Sequence, residues 1–205
     1  MIRNLIFDFG KVLVDFDFIA FFRRIIPDEQ RLWAFTPVLY NDSLPQLLDR
    51  EAQPFDTIME EVISHNPEYE REIRAFCQHY PEIVTGEMPG MRELLARLRA
   101  EGFKLYGLTN WCSKVHITMR QYDIFQLLDG SVISSEEHLI KPEPAIYQRL
   151  FDKFGLKPEE CLFTDDKPEN IEGGRSLGMD GIVFHDAEQY ERELRDKLAA
   201  LNSKL

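Results

Sequence analysis

Hydrophobic and polar positions change rhythm twice along this 205-residue chain. Leu5-Ile6-Phe7 is a short apolar run closing on Asp8-Phe9-Gly10, the signature of a buried strand followed by a turn. From Phe18 to about Glu87 helical spacing takes over, and no second strand is expected there. Phe18, Phe21, Phe22 and Ile25 share one face, and Ile73, Phe76, Cys77 and Tyr80 share another. Pro27, Pro37, Pro45 and Pro54 divide this stretch into several short helices. After Met88-Pro89-Gly90 strands and helices alternate. Met91, Leu94, Leu95 and Leu98 stripe a helix, Lys104 to Leu108 reads as a strand, and a helix follows from about Ser113. A strand at Ser131–Ile133 precedes a helix near Pro144–Phe154. A strand at Cys161–Phe163, a helix over Pro168–Leu177, a strand at Gly181–Phe184 and a helical tail from Glu188 complete the chain.

Alternation of this kind predicts a parallel sheet with right-handed crossovers, a doubly wound α/β fold. The helical block interrupts it, so the expected organisation is an α/β core over residues 1–16 and 88–205 with an inserted all-helical domain over 17–87. Internal repeats and low-complexity segments are absent from the sequence.

Composition narrows the function classes. A hydrophobic share of 44% with 29% charged residues is globular, which excludes extended disorder and fibre. No apolar run reaches the roughly 20 residues of a membrane span, and the chain enters its first strand without a signal-peptide pattern. Three cysteines (Cys77, Cys112, Cys161) lack metal-ligand spacing and read as reduced thiols, so a cytoplasmic protein is expected. The 24 basic and 36 acidic residues leave a net charge of −12. Nucleic acid and membrane surfaces are therefore not expected partners, because polyanion binding needs an excess of Lys and Arg. An anionic substrate would have to be drawn by a bound cation and a few placed donors rather than by the overall field.

Polar residues close three of the expected strands: Asp8 after the first, Thr109-Asn110 after the second and Asp165-Asp166 after the fourth. Lys141 follows the third, in Leu139-Ile140-Lys141-Pro142. Ligands of open α/β sheets bind outside the carboxyl ends of the strands, so these loops should converge. Taken singly, each has an ordinary explanation. Asp165-Asp166 suits a helix cap, Thr109-Asn110 a turn and Lys141 the surface. Asp8 is harder to explain that way, since a carboxylate closing an apolar strand loses solvation. Together they make a site for a divalent cation plus an oxyanion, and few hard oxygen ligands suit Mg²⁺.

Leu5 to Asp15 (LIFDFGKVLVD), Leu108-Thr109-Asn110, Lys141-Pro142-Glu143 and Phe163-Thr164-Asp165-Asp166 resemble motifs one to four of the haloacid dehalogenase superfamily. The helical insert resembles the type-I cap of its phosphatase and dehalogenase branch. Motif one most resembles α-glucose-1-phosphate phosphatase-like members. The resemblance implies that Asp8 attacks phosphorus to form an aspartyl-phosphate which water hydrolyses. It implies phosphoryl contacts from Thr109 and Asn110, and charge neutralisation by Lys141. It further implies Mg²⁺ held by Asp8, the Gly10 carbonyl and Asp166, with Asp165 in support.

The motif departs from the superfamily at Gly10, where most of its phosphatases carry a second aspartate as general acid. Lys11 and Val12 follow where Gly and Thr are preferred. Either the leaving group is good, as in an anomeric or acyl phosphate, or another acid substitutes. The nearby Asp15 and Asp17 read as solvent-facing or as caps of the first insert helix. Lys11 reads as pointing to solvent, with assistance to phosphate binding as the alternative. Trp111 is a candidate floor for the substrate, although an aromatic there also suits packing. His116, His138 and His185 have no ligand spacing. The expectation is a Mg²⁺-dependent phosphatase of small phosphorylated metabolites, a sugar phosphate foremost, acting as a monomer or small homo-oligomer. A non-catalytic phospho-ligand sensor and a 2-haloacid dehalogenase are the alternatives.

Overall fold

The computed structural model describes residues 1–41 and 43–202; position 42 and positions 203–205, which fall within the expected domain boundaries, lie outside the described residues. The central sheet contains β1 (Asn4–Phe7), β4 (Lys104–Thr109), β5 (Gly130–Ile133), β6 (Cys161–Asp165) and β7 (Asp180–Val183) in the order β5-β4-β1-β6-β7. Every pairing within it is parallel. Strand β1 is central because its side chains are apolar on both faces. Leu5 and Phe7 pack into one hydrophobic cluster and Ile6 into the other, all three fully buried. The connecting helices α6 (Met91–Ala100), α7 (Val115–Gln121), α9 (Pro144–Phe154), α10 (Pro168–Arg175) and α11 (Ala187–Asn202) lie where the apolar spacing put them, within a few residues at each end, and a one-turn helix that the spacing did not announce, α8 (Ser134–Glu137), follows β5.

Between β1 and α6 lie α1 (Phe18–Ile25), α2 (Glu29–Leu39), α3 (Leu44–Arg50), α4 (Phe55–His65) and α5 (Glu70–His79). Asp17 caps α1 by accepting from the Ala20 N–H at 2.8 Å, and Asp28 caps α2 by accepting from Arg31 N–H at 2.6 Å. Their aromatic residues form a chain of edge and stacked contacts, with Phe22 5.0 Å from Phe35 and 5.8 Å from Phe76.

Two expectations for this block need correction. It is not wholly helical: β2 (Val14–Phe16) and β3 (Val84–Glu87) pair antiparallel at its two ends, forming a separate two-stranded ribbon. Val84-Thr85-Gly86-Glu87 has one buried apolar residue and no alternation, so the strand exists through pairing with residues some seventy positions away. Pro37 does not separate helices; it sits inside α2, two residues before its end, where it forgoes one helical N–H bond and the helix stops within a turn of it. Among the described residues no helix is long and apolar enough to cross a membrane.

Candidate active site

Asp8 leaves β1 with its backbone N–H bonded to the Thr164 carbonyl at 2.9 Å, so the nucleophile candidate is held in the sheet register beside β6. Lys141 reaches the same point from the loop after α8. Its ammonium, with a wholly buried side chain, lies 2.9 Å from Asp8 Oδ1 and 2.6 Å from Asp165 Oδ2, and donates to the Leu108 carbonyl at 3.0 Å. All three of its N–H donors are thereby used.

Asn110 explains why Lys141 stands there. Its Nδ2 donates to the Lys141 carbonyl at 3.0 Å, while its Oδ1 accepts from the Lys141 N–H at 2.8 Å. Loop and strand end are thus locked together, with one Nδ2 hydrogen left over on the cavity side, since Asn110 also lines the cavity. Thr109 is fully buried, and its hydroxyl has no hydrogen-bond partner among the described residues. Trp111 lines the cavity and is positioned by its backbone N–H, which donates to Ser134 Oγ at 2.9 Å.

The two adjacent aspartates differ. Asp165 is fully buried and saturated, accepting from Lys141, from Asn170 Nδ2 at 2.9 and 3.0 Å and from the Lys167 N–H at 2.9 Å. Asp166 is half-buried and lines the cavity with Asp8 and Gly10. Oxygens of Asp8, Asp165 and Asp166 lie within 4.8 Å of one another. Three carboxylates thus face one buried ammonium, a formal imbalance of −2. The imbalance is visible in the acidities. Burial pushes the Asp8 carboxyl up; the Lys141 charge pulls it back and the Asp165 charge pushes again, leaving it at about 7. Asp166 is raised by burial and then by Asp165. Burial works against the Lys141 charge, but Asp165 and Asp8 outweigh it and its pKa is raised. Hard oxygens carrying excess negative charge in a cavity suit a small divalent cation.

Around Gly10 the structure supplies what the sequence did not. A Cβ at this position would lie 2.8 Å from Phe16 Cε1, so the ring stands against the backbone where any side chain would begin. Lys11, with φ of 62°, does not point freely to solvent. Its ammonium bonds Asp15 Oδ1 at 2.5 Å and the Phe16 carbonyl at 2.9 Å and sits 4.6 Å from the Phe16 ring centre, at the cavity wall. The hydrogen bond from Lys11 holds the Asp15 carboxyl below its ordinary range. Asp17 caps α1, and neither Asp15 nor Asp17 lines the cavity.

Sequence spacing gave no signal for Asn170, which orients Asp165, nor for Asp49, which comes from α3 to line the cavity. Burial pushes the Asp49 carboxyl up to about 6 against the attraction of Lys167 and Lys141. Helix α3 is docked here by flanking contacts. Arg50 pairs with Glu143 at 2.5 Å, and Glu51 accepts from Ser113 N–H at 2.6 Å and Ser113 Oγ at 2.8 Å. Of the histidines, His116 pairs with Glu136 and His138 contacts the Arg50 carbonyl. All three cysteines are free.

The sequence profile of the haloacid dehalogenase-like hydrolases matches residues 2–178. The chain belongs to that family. Among curated hydrolase relatives, flavin mononucleotide hydrolase 1 of Arabidopsis thaliana is 29% identical over 109 residues, covering 53% of this chain and 44% of that protein. The glyceraldehyde 3-phosphate phosphatase of Pyrococcus furiosus is 24% identical over 206 residues, 96% of this chain and 86% of that one. The chain spans less than half the length of the first curated relatives it matches. A haloacid dehalogenase family enzyme from Bacteroides thetaiotaomicron, solved with magnesium and inorganic phosphate, superposes with a TM-score of 0.70 at 20% identity, over 91% of this chain and 96% of that one. The hydrolase fold of this family is thus present in full.

Proposed function

We propose that this hydrolase is a Mg²⁺-dependent phosphatase of small phosphate monoesters, with Asp8 as nucleophile and the block α1–α5 as a cap over the site. The observation that carries the reading is the single buried Lys141 ammonium shared by Asp8 and Asp165, with Asp166 in the same oxygen cluster. The three-carboxylate imbalance fits a divalent cation. Asp8, the Gly10 carbonyl and Asp166 would hold it, with Asp165 orienting Lys141 in support. When bound, the ion supplies Lewis-acid neutralisation of phosphoryl charge.

The chain's own groups do the rest. An Asp8 oxygen forms a bond to phosphorus as the ester P–O bond breaks, and the bonding pair departs with the alcohol oxygen, which takes a proton from solvent. Water then adds to the phosphorus of the aspartyl-phosphate and loses a proton to solvent; the P–O bond to Asp8 breaks, its electron pair returns to the Asp8 carboxylate and inorganic phosphate leaves. Lys141 neutralises the equatorial oxygens and the spare Asn110 N–H suits them as a donor, while Thr109, fully buried behind the cavity lining, holds the end of β4 beneath them. Trp111 belongs to the wall that contacts the ester. The motif-one likeness to α-glucose-1-phosphate phosphatase-like members keeps a sugar monoester within the class, and a cytoplasmic setting suits the reduced thiols. Two carboxylates lining the cavity, Asp8 and Asp166, with Asp165 buried beside them, favour phosphorus chemistry over attack on a haloacid carbon, which needs no cation.

Turnover of p-nitrophenyl phosphate that requires Mg²⁺ and is abolished in Asp8→Asn is expected. Full turnover in Asp8→Asn would refute the assignment.

A further inference from the structure

The site cavity, about 730 Å³, has two unlike kinds of lining. Asp8, Asp166, Lys141 and Lys167 supply the charged part. The helical block and the ribbon contribute Phe16, Phe18, Tyr40, Phe76 and Tyr80, and Trp111 joins these aromatic side chains from the loop after β4. Several of them brace one another. Phe18 stands edge-on to Phe16 at 5.3 Å and to Tyr40 at 5.1 Å, and Phe76 to Tyr80 at 5.3 Å. Aliphatic side chains from α3 and β3 fill the remaining wall.

Apart from the Asp49 carboxyl and the Tyr40 and Tyr80 hydroxyls, polar groups on this side are few and largely committed. Asn41 spends its amide on its own loop, donating to the Val38 carbonyl and accepting from Ser43 and Leu44. Gln46 is exposed, and Glu143 is paired with Arg50. A sugar entering here would bury several hydroxyls against ring carbons, and each unmade hydrogen bond costs about 1–3 kcal/mol. A planar apolar group would instead gain area burial and ring contacts.

Leaving-group chemistry points the same way from separate residues. Phe16 stands where a side chain on residue 10 would begin, Asp15 is paired with Lys11 and Asp17 caps α1. The region that would hold a proton donor beside the nucleophile holds an aromatic ring. Chemistry without that donor suits an alcohol that departs as a stable anion, as a phenol does.

We propose that the alcohol portion of the substrate is aromatic: the site takes aryl phosphate monoesters in preference to sugar phosphates. The proposal rests on the phosphatase reading and narrows it. Asp8 forms its bond to phosphorus, the P–O(aryl) bond breaks, and the electron pair leaves on the phenolate oxygen, which solvent protonates. The ring of the leaving group lies among Phe16, Phe18 and Phe76.

The test compares kcat/KM for phenyl and 2-naphthyl phosphate with that for glucose 1-phosphate and glucose 6-phosphate in Mg²⁺. Calorimetric titration of the same ligands into Asp8→Asn supplies a readout that needs no turnover. Expected are a preference of about 100-fold or more for the aryl esters, a lower KM for naphthyl than for phenyl, and tighter binding of 2-naphthyl phosphate to Asp8→Asn. Phe76→Leu should raise the naphthyl KM about tenfold. Hydrolysis of a glucose phosphate as fast as the aryl esters overturns the substrate class and leaves the phosphatase reading intact. If no ester is hydrolysed and Asp8→Asn still binds 2-naphthyl phosphate over glucose phosphates, the phosphatase reading falls while the aromatic selectivity stands. Equal or absent binding of both ligands overturns the selectivity.

Discussion

Asn110 and Lys141 are joined twice, the Asn110 amide donating to the Lys141 carbonyl at 3.0 Å and accepting from its N–H at 2.8 Å. A side chain at the end of β4 thereby sets the backbone of a loop 31 residues away. Placement of the Lys141 ammonium depends on that pair, because its donors reach three acceptors only from this backbone position. Asn110→Ala leaves two buried backbone groups short of partners, at about 1–2 kcal/mol of stability. kcat on p-nitrophenyl phosphate should fall by roughly tenfold to a hundredfold, in proportion to a mispositioned cation. Asn110→Asp keeps the acceptor and loses the donor, and should fall between wild type and Asn110→Ala in urea melts.

Lys141 is the only cation within 3 Å of the Asp8 and Asp165 carboxylates among the described residues. Lys141→Met removes it and leaves clustered acids in a buried site, which costs about 3–5 kcal/mol. The loss depends on the acids being ionised. Without the ammonium that pulls it down, the Asp8 carboxyl is pushed further above its ordinary range, so the variant's stability falls as pH rises. Denaturant melts should find the variant close to wild type near pH 5 and far below it at pH 8. A deficit that does not change with pH would contradict this account.

Asp8 sits at about 7 because burial and Asp165 outweigh Lys141. Its folded pKa is above the unfolded value, so between roughly pH 4 and 7 the folded protein holds more protons and loses stability as pH rises. A cation entering among these oxygens reverses the trend by displacing the proton. Magnesium binding should therefore weaken as pH drops below 7 and release a fraction of a proton near neutrality. Titration calorimetry in two buffers of different ionisation enthalpy measures that release, and zero release at pH 6.5 would contradict the assignment.

Asp49 is an anion in a cavity meant for an anionic substrate. Burial raises it to about 6, with Lys167 and Lys141 opposing. Above pH 6 its charge repels a phosphoryl group; below, it is neutral. Asp49→Asn should lower KM for p-nitrophenyl phosphate several-fold at pH 8, and the ratio of wild-type to variant KM should approach one by pH 5. Taking the ratio cancels the ionisation of the substrate itself.

Much of this site was legible in the linear text because its parts obey local rules. Apolar runs three to five residues long declare buried strands, and a polar residue at the end of each must emerge at the carboxyl edge of a parallel sheet. Asp8, Asn110 and Asp166 stand at such strand ends, whereas Lys141 lies in the loop after α8, well past the end of β5. Gly10 was legible as a departure, since a missing carboxylate is visible without coordinates. The ribbon of β2 and β3 was not legible: four residues with one buried side chain carry no periodic signal, and their partner lies far along the chain. Asp49 was equally hidden, as one acidic position on a short helix.

What the order of residues determined by itself was the α/β fold and the residue types at its strand ends, because side-chain period and loop position follow from backbone geometry within a few residues. Tertiary structure decided the rest. Only there does Phe16 come to rest against Gly10, Lys11 turn onto Asp15, Asn110 become an anchor for Lys141, and α3 bring Asp49 to the cavity that Asp8 lines. Such pairings depend on how separate elements pack across space, and distances between them are set by packing and charge rather than by any spacing along the chain.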